Sequence, residues 1–287
     1  MRLGGRRRSS NVEDRRGISG GAGAGLGIGG IILVALFTWL SGGDLTSVIS
    51  NVGGQLQQSN VVGQEYTPTA HEEELANFAS IILAGTEDVW TEEFKKIGKT
   101  YTPPKMVIFK DNVQSGCGYA SSQTGPFYCS ADQTVYIDLG FFDQMEKEMQ
   151  AGGDFAYAYV IAHEVGHHVQ NLLGILSQVH QRQQQLSEVE SNRLNVMLEL
   201  RADYLAGVWA NHDNERYNSL EDGDIEEGLN AASKIGDDYL QKQAQGYAVP
   251  DTFNHGTSAQ RNRWLKKGYT YGTLEDGDTF SVGYNNL

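Results

Sequence analysis

Residues 21–40, GAGAGLGIGGIILVALFTWL, form an uncharged apolar stretch. This stretch limits the structures that the chain can adopt more than any other feature of the sequence. Its 20 residues match the length that an α-helix needs to cross the hydrocarbon core of a bilayer. A buried core helix is a poor alternative, because glycine fills six of the first ten positions and disfavours a helix there. The stretch therefore predicts a transmembrane anchor that contacts the lipid bilayer, with a cleaved secretory signal as the alternative.

The charge is divided unevenly on the two sides of this stretch. Residues 1–20 hold six of the 22 basic residues, all arginines, against only Glu13 and Asp14, which gives a local charge of +4. The rest of the chain keeps 16 basic and 34 acidic residues, a net charge of −18. Because positively charged flanks stay in the cytoplasm, we expect a basic cytoplasmic tail over residues 1–20 and a periplasmic or extracellular body. So acidic a body also argues against nucleic-acid binding, since phosphates would be repelled.

The remaining chain divides into a linker and one folded domain. Residues 41–69 are rich in Gly, Ser, Gln and Asn, which is typical of a linker. Residues 70–287 have patterns of an α+β domain that is mostly helical with a small sheet. Helices are predicted over 71–97, 155–185, 188–210 and 224–245, strands over 106–109 and 134–138, and a surface-wrapping tail from Tyr247 onward.

Cys117 and Cys129 are the two cysteines of the chain, and they lie 12 residues apart in a predicted loop region. Two thiolates are too few to close a zinc site without distant histidines. In an exported domain the pair therefore favours a disulfide.

The sequence His163-Glu164-Val165-Gly166-His167 is an H-E-x-x-H motif inside a predicted helix. Residues four apart lie on one helical face, so His163 and His167 can bind a single Zn²⁺. Glu164 stands beside them as a candidate base, whereas His168 points elsewhere and is expected to pack or to face solvent. The alternative is a helix with two incidental histidines.

A pair of acidic residues in the next predicted helix offers the third zinc ligand. Catalytic zinc takes three protein ligands and keeps one open position. Glu199 and Asp203 lie four apart in the next predicted helix, so Glu199 can ligate zinc while Asp203 accepts a hydrogen bond from a ligating histidine. A solvated acidic face is the alternative, but the surrounding residues are largely apolar.

These residues resemble a known family. H-E-x-G-H with a downstream E-L-x-A-D resembles the gluzincin metallopeptidases, and the whole layout resembles the bacterial putative neutral zinc metallopeptidases. The resemblance also covers the segment 11–16, the anchor, the cysteine region and the segment 253–261. It implies a zincin-type domain that holds one Zn²⁺ per chain and binds an extended peptide along an edge strand.

His255 and Arg261 are further candidates. Several membrane gluzincins are similar in carrying a late histidine with an arginine six residues on. The resemblance implies that either residue donates to the oxyanion of a tetrahedral intermediate. A capping or surface role in a polar loop is the alternative.

The sequence therefore predicts zinc-dependent hydrolysis of a peptide or protein substrate. His163, His167 and Glu199 are the expected metal ligands, Glu164 the base, and Asp203 the support of a ligating histidine. Two alternatives stay open: an amidase that acts on cell-wall peptides, and a membrane-anchored binding module with a structural zinc.

Overall fold

The computed structural model describes residues 1–17 and 66–287. The predicted anchor and most of the predicted linker lie outside these ranges. Within them, no helix combines the length and the apolar character that crossing a bilayer requires.

The described chain is an α+β structure dominated by helices. The helices are α1 (Ala70–Lys96), α2 (Gly140–Lys147), α3 (Asp154–Leu172), α4 (Ile175–Gln183), α5 (Glu188–Tyr217), α6 (Asp224–Lys234), α7 (Asp237–Gln245) and α8 (Ser258–Tyr271). The strands are β1 (Val12–Asp14), β2 (Lys105–Phe109), β3 (Asn112–Ser115), β4 (Gly118–Ser121), β5 (Phe127–Cys129) and β6 (Thr134–Asp138). Short 3₁₀ turns cover Ser122–Thr124, Pro250–Thr252, Glu275–Gly277 and Tyr284–Asn286.

The main sheet of the described residues has the order β1-β2-β6-β5. β1, β2 and β6 are parallel, and β5 pairs with β6 in the antiparallel sense. Met106 lies opposite both Val12 and Val135, which fixes the register. β3 and β4 form a separate antiparallel hairpin.

The sheet separates two apolar clusters because its side chains alternate between faces. Met106 and Ile108 face the large core that the helices form. Val107 and Phe109 face a smaller cluster with the β3–β4 hairpin. Cys117 and Cys129 are joined by the predicted disulfide, which ties this hairpin to β5.

Three of the described helices begin at capping boxes, in which a hydroxyl and a carboxylate or amide satisfy the first free N–H groups. Thr69 and Glu72 start α1, Ser187 and Glu190 start α5, and Thr257 and Gln260 start α8. α3 packs against α5 and α6, and α8 packs along α5. This bundle positions the residues of the predicted site.

Three helical predictions need correction. The run 155–185 is broken at Gly174, whose left-handed φ of 78° ends one helix and starts the next. The run 224–245 is broken at Ile235 and Gly236. The chain after Tyr247 contains α8, whose Trp264 and Leu265 are buried in the core, so it does not merely wrap the surface.

The sequence predicted an N-terminal tail that is separate from the domain, but residues 1–17 pack against the domain. Val12–Asp14 forms β1 and pairs with β2 of the domain. The arginines of this segment were expected to act as a topology signal, whereas four of the six pair with carboxylates of the domain: Arg2, Arg6, Arg7 and Arg16.

Candidate metal centre

The site begins where α3 crosses α5. Gly166, inside the motif, faces Ala202 so closely that a Cβ at Gly166 would lie 3.0 Å from the carbonyl oxygen of Ala202. A side chain at Gly166 would make a contact tighter than nearly all observed ones, so one of the two helices would have to move by a few tenths of an ångström. The close approach of the helices brings the face of α3 that carries His163 and His167 against the face of α5 that carries Glu199.

His163, His167 and Glu199 converge on one point in the interior. The Nε2 atoms of the two histidines lie 3.2 Å apart, and they lie 3.1 Å and 3.3 Å from the two carboxylate oxygens of Glu199. The three side chains are buried, and their ligand atoms all fall within 4.8 Å of one another.

This donor set fits Zn²⁺. Tetrahedral ligands bound at about 2.0–2.2 Å lie roughly 3.3–3.5 Å from one another, close to the observed separations. Glu199 Oε1 is buried and has no hydrogen-bond partner within the described ranges, which is expensive unless a cation satisfies it. Two imidazoles and one carboxylate are also the donors that catalytic zinc takes.

Asp203 lies behind His163, on the side away from the other ligands. Its Oδ1 atom is 2.8 Å from Nδ1 of His163 and accepts the hydroxyl proton of Tyr159 at 2.6 Å. Arg261 donates to both carboxylate oxygens of Asp203, at 2.9 Å from Nε and 2.8 Å from Nη2. With the proton of His163 held at Nδ1, its Nε2 atom presents a lone pair to a metal.

Arg261 is therefore placed differently from the prediction. The N–H groups of its buried guanidinium point to Asp203, the Tyr159 hydroxyl and the carbonyl of Ile235. It supports the carboxylate that orients His163, and it is buried rather than at the surface. Sequence reasoning missed Tyr159, although it precedes His163 by four residues and so shares its helical face.

His255 is buried beside Asp237, the first residue of α7. Asp237 Oδ2 accepts the backbone N–H groups of Asn254, His255 and Gly256 at 2.7–2.9 Å, and Oδ1 lies 3.2 Å from Nδ1 of His255. Asp237 thereby fixes both the loop and the ring. Nε2 of His255 is buried with no partner in the described parts of the chain. No local sequence pattern pointed to Asp237, because 18 residues separate the pair.

Burial and neighbouring charges shift the pKa values of Glu164, Asp203 and His255 in opposite directions. Burial raises the pKa of Glu164, while His163 and His167 act to lower it. Burial also raises the pKa of Asp203, but Arg261 and His163 outweigh it and lower the pKa to about 2. For His255 burial acts to lower the pKa, yet Asp237 prevails and the pKa is raised.

His168 faces away from the metal ligands, as predicted. It lies in the core between the Tyr128 hydroxyl, 2.9 Å from Nδ1, and the carbonyl of Thr102, 2.7 Å from Nε2. Burial lowers its pKa to about 4, so this histidine is neutral near pH 7.

The comparisons agree with this geometry. Residues 1–280 match the family described as putative neutral zinc metallopeptidase. The chain belongs to this family. It is 50% identical over 289 residues to the uncharacterized protein YpfJ of Escherichia coli K12, covering 98% of this chain and 99% of that protein.

A more distant relative covers less of the chain. The uncharacterized protein Rv2575 of Mycobacterium tuberculosis H37Rv is 43% identical over 192 residues, 63% of this chain and 64% of its own length. No solved structure matches this chain.

Proposed function

We propose that this protein is a zinc-dependent peptidase that hydrolyses peptide bonds with water. The observation that carries the proposal is the buried cluster of His163, His167 and Glu199, with Glu164 on the next position of the motif helix. Membership of the metallopeptidase family supports the same chemistry. When bound, Zn²⁺ polarises the scissile carbonyl and lowers the pKa of a water molecule.

Glu164 moves the proton. Its carboxylate accepts a proton from the attacking water and later hands it to the leaving amine. Burial raises the pKa of this carboxyl, while His163 and His167 act to lower it.

His255 stabilises the developing charge. Asp237 lies against Nδ1 and outweighs burial to raise the pKa of the ring, which favours its protonated form. In that form Nε2, which has no partner among the described residues, carries a proton that it can donate to the carbonyl oxygen of the substrate. A charge interaction between His255 and Glu199 supports a role for His255 beside the metal cluster. We expect His255→Gln to retain zinc and to lose about 10²–10³-fold in turnover. Unchanged turnover would remove His255 from the mechanism.

The substrate main chain pairs with β5, whose three residues are buried here, so the peptide must displace whatever covers this edge. β5 is an edge strand of the main sheet in the described residues, and it packs against α3. Tyr128, in the middle of β5, accepts a hydrogen bond from Asn171 of α3 at 3.0 Å. An extended peptide added to this edge would run beside the motif helix.

A structural zinc is the weaker reading of this cluster. Structural sites are closed by four protein ligands, whereas the cluster found in the described residues contains three. A structural site also has no use for a carboxylate at Glu164.

The Glu164→Gln variant separates a peptidase from a binding module. We expect it to keep its fold and its zinc and to lose at least about 10²-fold in peptide turnover. Glu148→Gln, at an exposed position, removes one carboxylate without touching the site and serves as the matched control. Chelator-sensitive turnover within about threefold of the unmodified protein, far inside the expected loss, would contradict the proposal.

A further inference from the structure

Residues 1–17 contact the domain along their whole length. We propose that the carboxylate-lined face of α1, α5 and α6, with the edge of β2, is an interaction surface whose partner is the chain's own arginine-rich N-terminal segment, and that this segment shares a compartment with the domain. The sequence alone predicts the opposite arrangement, with a membrane between the two.

Arg6 and Asp213 form the deepest contact. The guanidinium of Arg6 binds both carboxylate oxygens of Asp213 and stacks 4.2 Å from the ring centroid of Tyr217. The exposed fractions of the two ionic side chains are 7% and 1%. Without Arg6, the domain would bury an unpaired carboxylate on α5, which is strongly destabilising.

The surface has a gap shaped for Arg6. A Cβ on Gly85 of α1 would lie 2.5 Å from Nη2 of Arg6 and 2.7 Å from Asp213. Any side chain at this position would therefore obstruct the ion pair.

Glu87 of α1 binds three residues of the segment. Its buried carboxylate accepts hydrogen bonds from Arg7 at 2.8 Å, the Ser9 hydroxyl at 2.5 Å and the Asn11 amide at 2.7 Å. Three donors converge on one buried acid, and all three come from residues 1–17. The domain by itself would leave Glu87 without these donors.

The backbone of the segment completes the sheet. The N–H of Met106 donates to the carbonyl of Asn11 at 2.8 Å, and the N–H of Arg15 donates to the carbonyl of Ile108 at 2.7 Å. β1 thus covers the edge of β2, which would otherwise present unpaired backbone groups.

Both ends of the segment are also held. The α-amine of Met1 lies 3.4 Å from Asp154, 3.3 Å from Glu221 and 3.4 Å from Asp224. Near the other end, Arg16 pairs with Glu73 of α1 at 2.7 Å.

Gly17 and Tyr66, the described residues on either side of residues 18–65, lie next to each other. A Cβ on Gly17 would lie 3.8 Å from the Cβ of Tyr66. A single membrane crossing between these residues would put them in different compartments, which their contact forbids. The arginines that a topology rule assigns to the cytoplasm instead neutralise an acidic surface of the domain.

Cysteine labelling of the full-length chain in intact cells tests the shared compartment. Gly4 and Lys99 are exposed, and the native cysteines are joined in a disulfide. We expect Gly4→Cys and Lys99→Cys to react with a membrane-impermeant maleimide under the same condition, both before or both only after permeabilisation. Labelling of one before and the other only after permeabilisation would overturn the proposal, and the unmodified chain measures the background.

Arg6→Glu and Arg8→Glu test the surface itself in the full chain. Both variants change the charge of the segment equally, so a topology signal would respond to both alike. Arg8 is exposed, whereas Arg6 is buried against Asp213. We expect Arg6→Glu to lower the melting temperature by about 10 °C and Arg8→Glu by at most about 2 °C. Equal melting temperatures would overturn the proposal.

If the Arg6→Glu protein does not accumulate in cells, the more exposed ion pair between Arg7 and Asp88 provides a second test. Arg7 is half exposed and binds Asp88 at 2.6 Å. If the segment is docked, combining Arg7→Glu with Asp88→Lys should lower the melting temperature by less than the sum of the single changes. Additive losses would contradict the contact.

Discussion

Helix α5 carries two buried aspartates, Asp203 and Asp213, and each is paired with an arginine from a distant part of the chain. Arg261 of α8 binds the first, and Arg6 of the N-terminal segment binds the second. The ion pairs are alike in burial and in their two-oxygen contact. Asp203, however, also holds Nδ1 of His163, so its charge reaches the metal cluster.

The function of such an ion pair therefore depends on what else its aspartate contacts. At Asp203 the arginine keeps a carboxylate ionised and fixed, and that carboxylate orients a metal ligand. At Asp213 the same interaction attaches a segment to the domain. The following predictions test whether substitutions on α5 can change the orientation of His163 and the attachment of the N-terminal segment independently.

Asp213→Asn should give the largest effect, a loss of about 3 kcal/mol in the free energy of unfolding, because the Arg6 charge would be left buried beside a neutral amide. Denaturant unfolding of the full chain measures it. Peptide turnover per folded molecule should stay unchanged at low denaturant. A loss of turnover without a loss of stability would mean that this pair also acts on the site.

Asp203→Asn should also lower stability, because it leaves the buried Arg261 beside a neutral amide, but it should in addition weaken metal binding. We expect zinc affinity or turnover to fall by about 10–100-fold, because a neutral amide replaces the charged acceptor that fixes the ring of His163. Competition with a chelator of known affinity measures the metal binding, and Asp213→Asn is the matched control. The comparison breaks if both variants lose zinc equally.

Gly85→Ala probes attachment alone. Helix propensity favours alanine by about 1 kcal/mol, but the new methyl group would collide with Arg6 and Asp213. We expect a net destabilisation of about 1–2 kcal/mol. Gly4→Ala, where nothing lies within 4 Å, should be neutral. A stabilised Gly85→Ala protein would show that the segment does not occupy this gap.

The smallest effect concerns pH. Burial acts to lower the pKa of the Met1 amine, but Asp224, Asp154 and Glu221 outweigh it and raise the pKa above 8.0. A raised pKa means that this contribution to stability is present below pH 8 and is lost as pH rises through the folded-state value. The difference in melting temperature between the unmodified protein and Glu221→Gln should therefore narrow from pH 8 to pH 10. A constant difference would place the amine away from these acids.

Most of the metal cluster could be predicted because its parts are local. His163 and His167 share a helical face by spacing alone, as do Glu199 and Asp203. The breaks at Gly174 and Gly236 were missed because the apolar pattern continues across them. α8 was missed because its buried face is narrow and lies in a polar, glycine-containing stretch.

The donor types, their helical spacing, the disulfide pair and the family all follow from the order of the residues. Tertiary structure alone decided which acid meets which base: Asp203 with Arg261, His255 with Asp237, and Asp213 with Arg6. By composition residues 1–17 are a basic tail, whereas in the folded protein they contain strand β1 and form ion pairs with the domain, among them the buried pair of Arg6 and Asp213. The physical reason is that helical periodicity is a property of neighbouring residues, while a charge acquires its role from whatever partner the fold brings to it.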